Sequence, residues 1–197
     1  MPKAPTFVSF ALAVAAGCTV TPTAPPRAAP AAIHLMVEPD AGGDAVVALI
    51  LGARRSLTME MYLLTDGASI DALVDRKRAG VDVRVALEPH PFGADGANQD
   101  AFERLAAAGV AVSWTSPRFA LTHAKVFVVD GATLVVQTLN LTRAGLATNR
   151  EYVVVDEDAR DVAAAAALVT GDLAGAPPTA PAASRLVASP TTARGAL

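Results

Sequence analysis

Between Ile33 and Leu173, short apolar runs alternate with stretches in which apolar residues recur at helical spacing. Alternating or continuous apolar positions predict strands, whereas recurrence every three to four residues predicts amphipathic helices. The predicted strands are His34–Val37, Leu57–Leu64, Val81–Leu87, Val110–Trp114, His123–Val129, Thr133–Thr138 and Glu151–Val155. The predicted helices are Asp44–Arg55, Ser69–Ala79, Asn98–Ala108 and Ala159–Leu173. This alternation predicts an α/β domain in which helices flank the sheet.

The pair Asp130-Gly131 lies between two of the apolar runs and predicts a tight β-hairpin, which makes the sheet mixed. If this pair occupies the centre of the turn, His123 is opposite Thr138 and Lys125 is opposite Val136. Cross-strand partners share a face of the sheet. The hairpin therefore predicts that polar groups from both strands meet at its open end.

The polar groups that share this predicted face are His123, Lys125, Thr138 and, two residues further on, Asn140. A strand that buries apolar residues has no structural use for a cation and an imidazole at its end. Phosphate chemistry does, because imidazole attacks phosphorus or carries a proton and an ammonium group neutralises phosphate oxygens. The cluster is a candidate catalytic site.

Asp130 lies seven residues from His123, or roughly 23 Å along a strand at about 3.3 Å per residue. It therefore cannot orient the imidazole within the hairpin and is better interpreted as a turn residue, paired with an arginine. Glu151, which opens the next apolar run, is the best candidate for a carboxylate that holds the ring in one tautomer.

The order His123-x-Lys125-x4-Asp130, followed by Asn140 and Glu151, resembles the HKD motif of the phospholipase D superfamily. This group of phosphodiesterases includes phospholipases D, endonucleases and phosphatidyltransferases. Its similarity to this chain covers about residues 33 to 173. The flanking segments that carry it further are Ala53-Arg54-Arg55-Ser56-Leu57, Met61-Tyr62-Leu63-Leu64, Gly80-Val81-Asp82-Val83-Arg84-Val85 and Asn140-Leu141-Thr142.

The resemblance implies an α-β-α sandwich module and a two-step displacement that needs neither a metal nor a cofactor. One histidine attacks phosphorus to form a phosphohistidine, a second protonates the leaving alcohol, and water then releases the product. His123 is then nucleophile or acid, Lys125 and Asn140 hold phosphate oxygens with Thr138 beside them, and Glu151 orients His123. The motif also includes Asp130 among its catalytic positions.

The chain departs from the motif where Gln137-Thr138 replaces the usual Gly-Ser. Thr138 keeps a hydroxyl at the site. Gln137 adds bulk where glycine permits close approach. In the predicted register the Gln137 side chain points away from the His123 face, so the change is compatible with activity.

A mechanism with two histidines needs two motifs, and this chain has one. Either a homodimer completes the site, or a second module does. The segment 184–197 repeats the pattern that opens the domain at His34, namely an apolar strand, a polar residue and a proline. We therefore expect 33–175 to be the catalytic domain, and 176–197 to be a linker with the truncated, poorly ordered start of a second module.

The first residues resemble a bacterial lipoprotein signal. A short apolar run from Phe7 to Ala16 follows Lys3, is too short to cross a bilayer, and precedes Ala-Gly-Cys18. Residues 1–17 are then a signal peptide, and Cys18 is the lipidated end of a Pro/Ala-rich linker that runs to residue 32. This places the protein outside the inner membrane, anchored to the cell envelope; an ordinary cleaved signal is the alternative.

Composition bears on the substrate. A net charge of -3 and only 5% aromatic residues weigh against nucleic acid, since its binders usually present a basic face or stacking aromatics. A phospholipid is the favoured phosphodiester. An endonuclease, and a silent module that binds phosphate-bearing ligands, are the alternatives.

The other polar residues of the domain give weaker signals. No metal site is expected, because the acidic residues lack metal-ligand spacing and no Cys/His cluster exists. His90 follows a predicted strand and is interpreted as a solvated loop residue, and His34 as a packing or solvated one. Glu60 and Tyr62 either line the pocket or are satisfied polar groups of the core.

Overall fold

The computed structural model describes residues 33–176 and 184–190, together with Met1 and Ala193. The predicted signal peptide, Cys18 and the linker to residue 32 lie outside the described residues, apart from Met1. In chain order the elements are β1 (Ile33–Glu38), α1 (Gly43–Leu51), β2 (Ser56–Met61), α2 (Gly67–Arg78), β3 (Asp82–Leu87), α3 (Gln99–Ala107), β4 (Ala111–Trp114), β5 (Lys125–Val129), β6 (Thr133–Gln137), α4 (Arg143–Ala147), β7 (Glu151–Asp156) and α5 (Ala159–Leu173).

The described strands form one sheet in the order β1-β7-β6-β5-β2-β3-β4. Strands β2, β3 and β4 are mutually parallel, and every other neighbouring pair is antiparallel. The α/β class and the mixed sheet are therefore confirmed. The end of β2, the start of β5, the end of β6 and the start of β7 lie along one edge of the sheet, and this edge carries the candidate site.

Helices cover both faces of the sheet. Helices α1 to α4 contribute to the larger apolar core, in which Met59, Phe127 and Val153 project from β2, β5 and β7. On the opposite face α5 packs Val162 and Ala165 against a smaller cluster on β5 and β6. The domain is thus an α-β-α sandwich. Its candidate site lies at the strand ends described above.

The hairpin between β5 and β6 differs from the predicted register by one residue. The Asp130-Gly131 turn forms as expected, with φ of 56° and 63° and a hydrogen bond of 2.9 Å from Ala132 N to Val129 O. The strand ladder nevertheless pairs Val129 with Thr133, so Ala132 is an extra residue that bulges from the second strand.

This bulge overturns the predicted facing residues. Val136 pairs with Val126 and not with Lys125, and continuing the ladder places Gln137 opposite Lys125. Because a shift of one residue exchanges the two faces of a strand, Gln137 lies on the Lys125 face, and Thr138 does not. The prediction that Gln137 points away was wrong.

Three further differences concern the extent or the presence of an element. The second strand stops at Met61, short of the predicted Leu64, because the chain there leaves the sheet and Leu64 N binds Asn98 Oδ1 at 2.8 Å. Helix α4 was not predicted, since five residues are too few to show a helical period. The segment 184–190 forms no strand.

Among the helices of the described residues, none is both long enough and apolar enough to cross a membrane.

Candidate active site

His123 lies immediately before β5 and exposes its imidazole at the sheet edge. The ring packs edge-on against Tyr62, with 4.4 Å between the ring centroids. Tyr62 follows β2, donates its backbone N–H to Ala124 O at 2.9 Å, and accepts a hydrogen bond from Phe92 N at its hydroxyl oxygen. Its buried ring therefore supports the imidazole from below. Tyr62 therefore contacts the candidate catalytic histidine.

Neither ring nitrogen of His123 has a hydrogen-bond partner among the described residues. The pKa of His123 is lowered, first by partial burial and then by the positive charge of Lys125. A neutral imidazole with a free nitrogen is the form that acts as a nucleophile.

Lys125 is the first residue of β5, and as a whole residue it is 6% exposed. The ammonium group donates a hydrogen bond of 2.9 Å to His123 O and lies 4.8 Å from the centre of the Tyr62 ring. Burial lowers the pKa of Lys125 to about 8, while the charge of Glu151 acts in the opposite direction. Lys125 is thus a desolvated cation beside His123, as stabilisation of phosphate oxygens requires.

Glu151 opens β7 at the same edge but does not contact the His123 ring directly. Its Oε2 accepts a hydrogen bond of 2.6 Å from Thr138 Oγ1, and its Oε1 accepts one of 3.2 Å from Asn149 Nδ2. The expectation that Glu151 holds the His123 imidazole is therefore not met within this chain. What Glu151 does supply is negative charge that favours the charged form of Lys125.

Thr138 reaches the site although the bulge moves it off the predicted face. Its hydroxyl donates to Glu151 and accepts from Tyr152 N at 3.0 Å, just beyond the end of β6. The hydroxyl predicted at this position therefore fixes the rotamer of Glu151.

Asn140 lies in the turn between β6 and α4, and its Oδ1 is buried without a hydrogen-bond partner in the described part of the chain. The turn is held by Thr142, which caps α4 by accepting a hydrogen bond of 3.1 Å from Gly145 N. A Cβ at Gly145 would collide with the backbone carbonyl of Asn140. Glycine is thus required where α4 packs against the turn that presents the Asn140 amide.

Asp130 lies at the opposite end of β5 from His123, so its inclusion among the catalytic residues was wrong. Its carboxylate accepts hydrogen bonds from the backbone N–H groups of Arg54, Arg55 and Ser56, the shortest being 2.7 Å. Although partial burial acts to raise the pKa of Asp130, these donors and the Arg55 charge lower it overall. The backbone carbonyl of Asp130 also accepts from the Arg55 guanidinium at 3.0 Å. Asp130 anchors the hairpin turn to the start of β2.

Gln137 is 6% exposed, and neither amide atom of its side chain has a partner among the residues described. It occupies the motif position where glycine is usual, on the face that also carries Lys125. Its side chain fills space on the Lys125 face that glycine would leave empty.

Glu88, which follows β3, was not predicted as a site residue. Its buried carboxylate accepts hydrogen bonds from Thr122 N at 2.6 Å and from His90 N at 3.0 Å. It therefore ties the loop after β3 to the segment that carries His123. The signal in the sequence was an acidic residue at the carboxyl end of a parallel strand, where α/β sites form.

His90 is exposed on this loop, and its Nδ1 lies 2.8 Å from Asp95 Oδ1. Within the described residues there is no group of three or more His, Cys, Asp or Glu side chains arranged to hold a metal ion.

The family model for the cardiolipin synthase, PLD-like domain matches residues 46–170, more than half of the chain. The chain belongs to this family. It is thereby a member of the phospholipase D superfamily, as the HKD-like motif indicated, and members of that superfamily are phosphodiesterases. No curated protein matched the sequence.

Several solved structures share this fold at low sequence identity. The phospholipase D family member Nuc from Salmonella typhimurium aligns with a TM-score of 0.67 and 23% identity over 76% of this chain and 99% of its own. NucT from Helicobacter pylori aligns at 0.62 and 15% identity over 73% and 96%. The polyphosphate kinase from Porphyromonas gingivalis aligns at 0.60 and 18% identity over 74% of this chain and 26% of its own.

Proposed function

We propose that the protein is a phosphodiesterase that cleaves phosphodiesters, with phospholipid as the substrate class, through a phosphohistidine intermediate at His123. The observation that carries the proposal is the contact between Lys125 and the His123 backbone, which puts a desolvated cation beside an exposed imidazole with free nitrogens. Family membership supports the reaction class.

In the first step a His123 ring nitrogen attacks phosphorus, and the bond from phosphorus to the leaving alcohol breaks. Lys125 and the Asn140 amide hold the phosphate oxygens as negative charge gathers on them. A second, protonated histidine gives its proton to the leaving alkoxide. In the second step water attacks phosphorus, the bond to His123 breaks, and the second histidine takes up the proton of the water.

A second copy of the chain is the proposed source of the second histidine. Two-fold pairing of the site edges brings two identical His123 residues together. The same pairing would allow Glu151 of one copy to contact the imidazole of the other. That contact would orient the ring, as no carboxylate of the described residues does within one chain.

Mixing experiments test the pairing. Wild-type protein mixed and re-equilibrated with excess His123→Ala protein should lose activity per wild-type chain, because most wild-type chains then face a partner without imidazole. Within the same chain, the alternative source of the second histidine is His90. The Glu88 carboxylate accepts hydrogen bonds from the backbone N–H groups of both His90 and Thr122, the residue before His123. Pairing predicts that His90→Ala remains active; loss of activity in His90→Ala, or an active monomer by light scattering, would contradict it.

The proposed location is the cell envelope, with the domain tethered through a lipidated Cys18. Labelling with a radioactive fatty acid in a bacterial host should mark the wild type and not Cys18→Ala. Such a tether would keep the domain at a surface rich in phospholipid, where it would act in lipid degradation.

The substrate class is tested by incubating purified protein with phosphatidylcholine, bis(p-nitrophenyl) phosphate and DNA, each with a chelator present. His123→Ala is the inactive variant, and His34→Ala, which changes an exposed histidine on β1, is the matched control. Lipid cleavage with an adduct on His123 in intact-mass measurements supports the proposal. Cleavage of DNA alone indicates an endonuclease, and binding without turnover by a folded dimer indicates a silent module.

A further inference from the structure

A cavity of about 680 Å³ opens beside His123, between the sheet and α5. Its walls come from the segment before β5, the adjoining ends of β5 and β6, α5 and the segment 184–190. The apolar side chains that dominate the lining are Leu121, Val126, Val136, Leu168, Leu186 and Val187. Its volume is within the range of small-molecule sites, about 300–1,000 Å³.

Ion pairs hold the segment 184–190, which forms one wall of the cavity. The Arg185 guanidinium is 3.0 Å from Asp156 Oδ2 and also pairs with Asp161, and both carboxylates are nearly completely buried. Leu186 packs against the apolar cluster beneath α5. This segment was expected to be poorly ordered, but these contacts hold it in place as one side of the cavity.

One acidic side chain lies on the cavity wall from β2. Glu60 is 3% exposed, and its Oε1 has no partner in the part of the chain described. Burial raises the pKa of Glu60 to about 8, and the charge of Asp172 on α5 adds to this effect. The carboxyl group is therefore uncharged at neutral pH and does not oppose an apolar ligand.

We propose that this cavity binds the hydrocarbon chain of a lipid phosphodiester whose phosphate lies against His123. The inference rests on the proposed function and deepens it by assigning the part of the substrate that is not cleaved. Two features of the cavity support it: walls that are mostly apolar, and an opening at the nucleophile. Apart from His123 and Lys125 at the proposed phosphate site, the charged or titratable side chains of the lining are the carboxyl groups of Glu60 and Asp172. A polynucleotide would have to place its charged phosphates in the apolar cavity beside Glu60 and Asp172, at a high cost in desolvation.

The test uses p-nitrophenyl phosphate diesters that share the leaving group and carry a methyl, butyl, hexyl or octyl group as the second ester. For wild-type protein kcat/KM should rise along the series by up to about fourfold per buried methylene until the cavity is filled. A kcat/KM that is independent of chain length would overturn the inference. If wild type fails to cleave the methyl ester faster than His123→Ala does, it is the proposed function that fails.

Two matched variants locate the effect. Val136→Phe narrows the cavity and should lower the ratio of octyl to methyl kcat/KM roughly tenfold or more. Val154→Phe changes the residue paired with Val136 on β7, outside the cavity lining, and should leave this ratio at its wild-type value. Equal chain-length dependence in all three proteins, or a change of oligomeric state in Val136→Phe, would contradict a tail site.

The pH dependence of the ratio of octyl to methyl kcat/KM is a second readout, free of any packing defect. As pH rises through 8, Glu60 ionises and charges the cavity wall, so the ratio should fall in wild type and stay constant in Glu60→Gln. The other titratable groups that face the cavity are Asp172 on α5, Lys125 on β5 and His123 immediately before β5. On the neighbouring strand β3, the residue paired with Glu60 is Ala86, which does not titrate. All three groups remain in both proteins, so they cancel in the comparison. A constant ratio in wild type would overturn the inference.

Discussion

The ammonium group of Lys125 donates a hydrogen bond of 2.9 Å to the backbone carbonyl of His123. The cation is thereby fixed to the residue that performs the proposed attack, and both move as one unit with the start of β5. Burial also lowers the pKa of Lys125, so the ammonium group loses its proton at a lower pH. The site should therefore depend measurably on pH.

Lys125 should set the alkaline limit of activity. Its pKa of about 8 predicts that kcat/KM falls as pH rises through 8, because the cation that neutralises phosphate oxygens is lost. Glu151 favours the charged form, so Glu151→Gln should move this limit to lower pH in the profile for the methyl diester. Glu157→Gln, at an exposed residue just beyond the far end of β7, is the control and should leave the alkaline limit in place. An unchanged limit in Glu151→Gln would show that another group sets it.

The His123 imidazole should respond to the charge of Lys125. Partial burial and this charge lower the pKa of His123, and replacing Lys125 with methionine removes the charge while keeping a long side chain. The titration of the His123 Cε1 proton by NMR should therefore shift to higher pH in Lys125→Met. A midpoint that does not move would place the ammonium group farther from the ring in solution.

Asp130 should matter for stability and not for the chemical step. Asp130→Ala leaves the backbone donors of 54–56 without their carboxylate, and we expect a loss of about 1–3 kcal/mol in the free energy of unfolding. Urea denaturation measures this, with Asp82→Ala as a control for the loss of an exposed aspartate. The remaining folded protein should keep the wild-type kcat, and a kcat as low as that of His123→Ala would return Asp130 to the catalytic group.

Gln137 should be replaceable by a side chain of similar size without polar atoms. Gln137→Met removes a buried amide that has no partner among the described residues, so thermal unfolding should move to higher temperature by a few degrees. Lower stability in Gln137→Met would mean that the amide is satisfied in solution. Gln137→Gly restores the usual motif residue but should destabilise the strand, because glycine leaves a cavity and a freer backbone.

The sequence determined the elements and the residue types of the site. Strand and helix periods are local properties of the chain, so seven strands and four of the five helices lie where the apolar pattern predicts them. The spacing of His123, Lys125 and Asn140 likewise required no fold to be recognised. The turn at Asp130-Gly131 formed for the local reason that both residues tolerate positive φ.

Only the tertiary structure decided how these parts meet. The bulge at Ala132 moved Gln137 onto the Lys125 face, and the pattern of β6 could not indicate it, because its central residues Leu134, Val135 and Val136 form a continuous apolar run without alternation. The ring of Tyr62 beneath His123, the Glu88 link to Thr122 and the Arg185 ion pairs join residues distant in sequence. Such contacts depend on how the strands are ordered and how the helices pack on the sheet, and a periodic pattern in one segment carries no information about either.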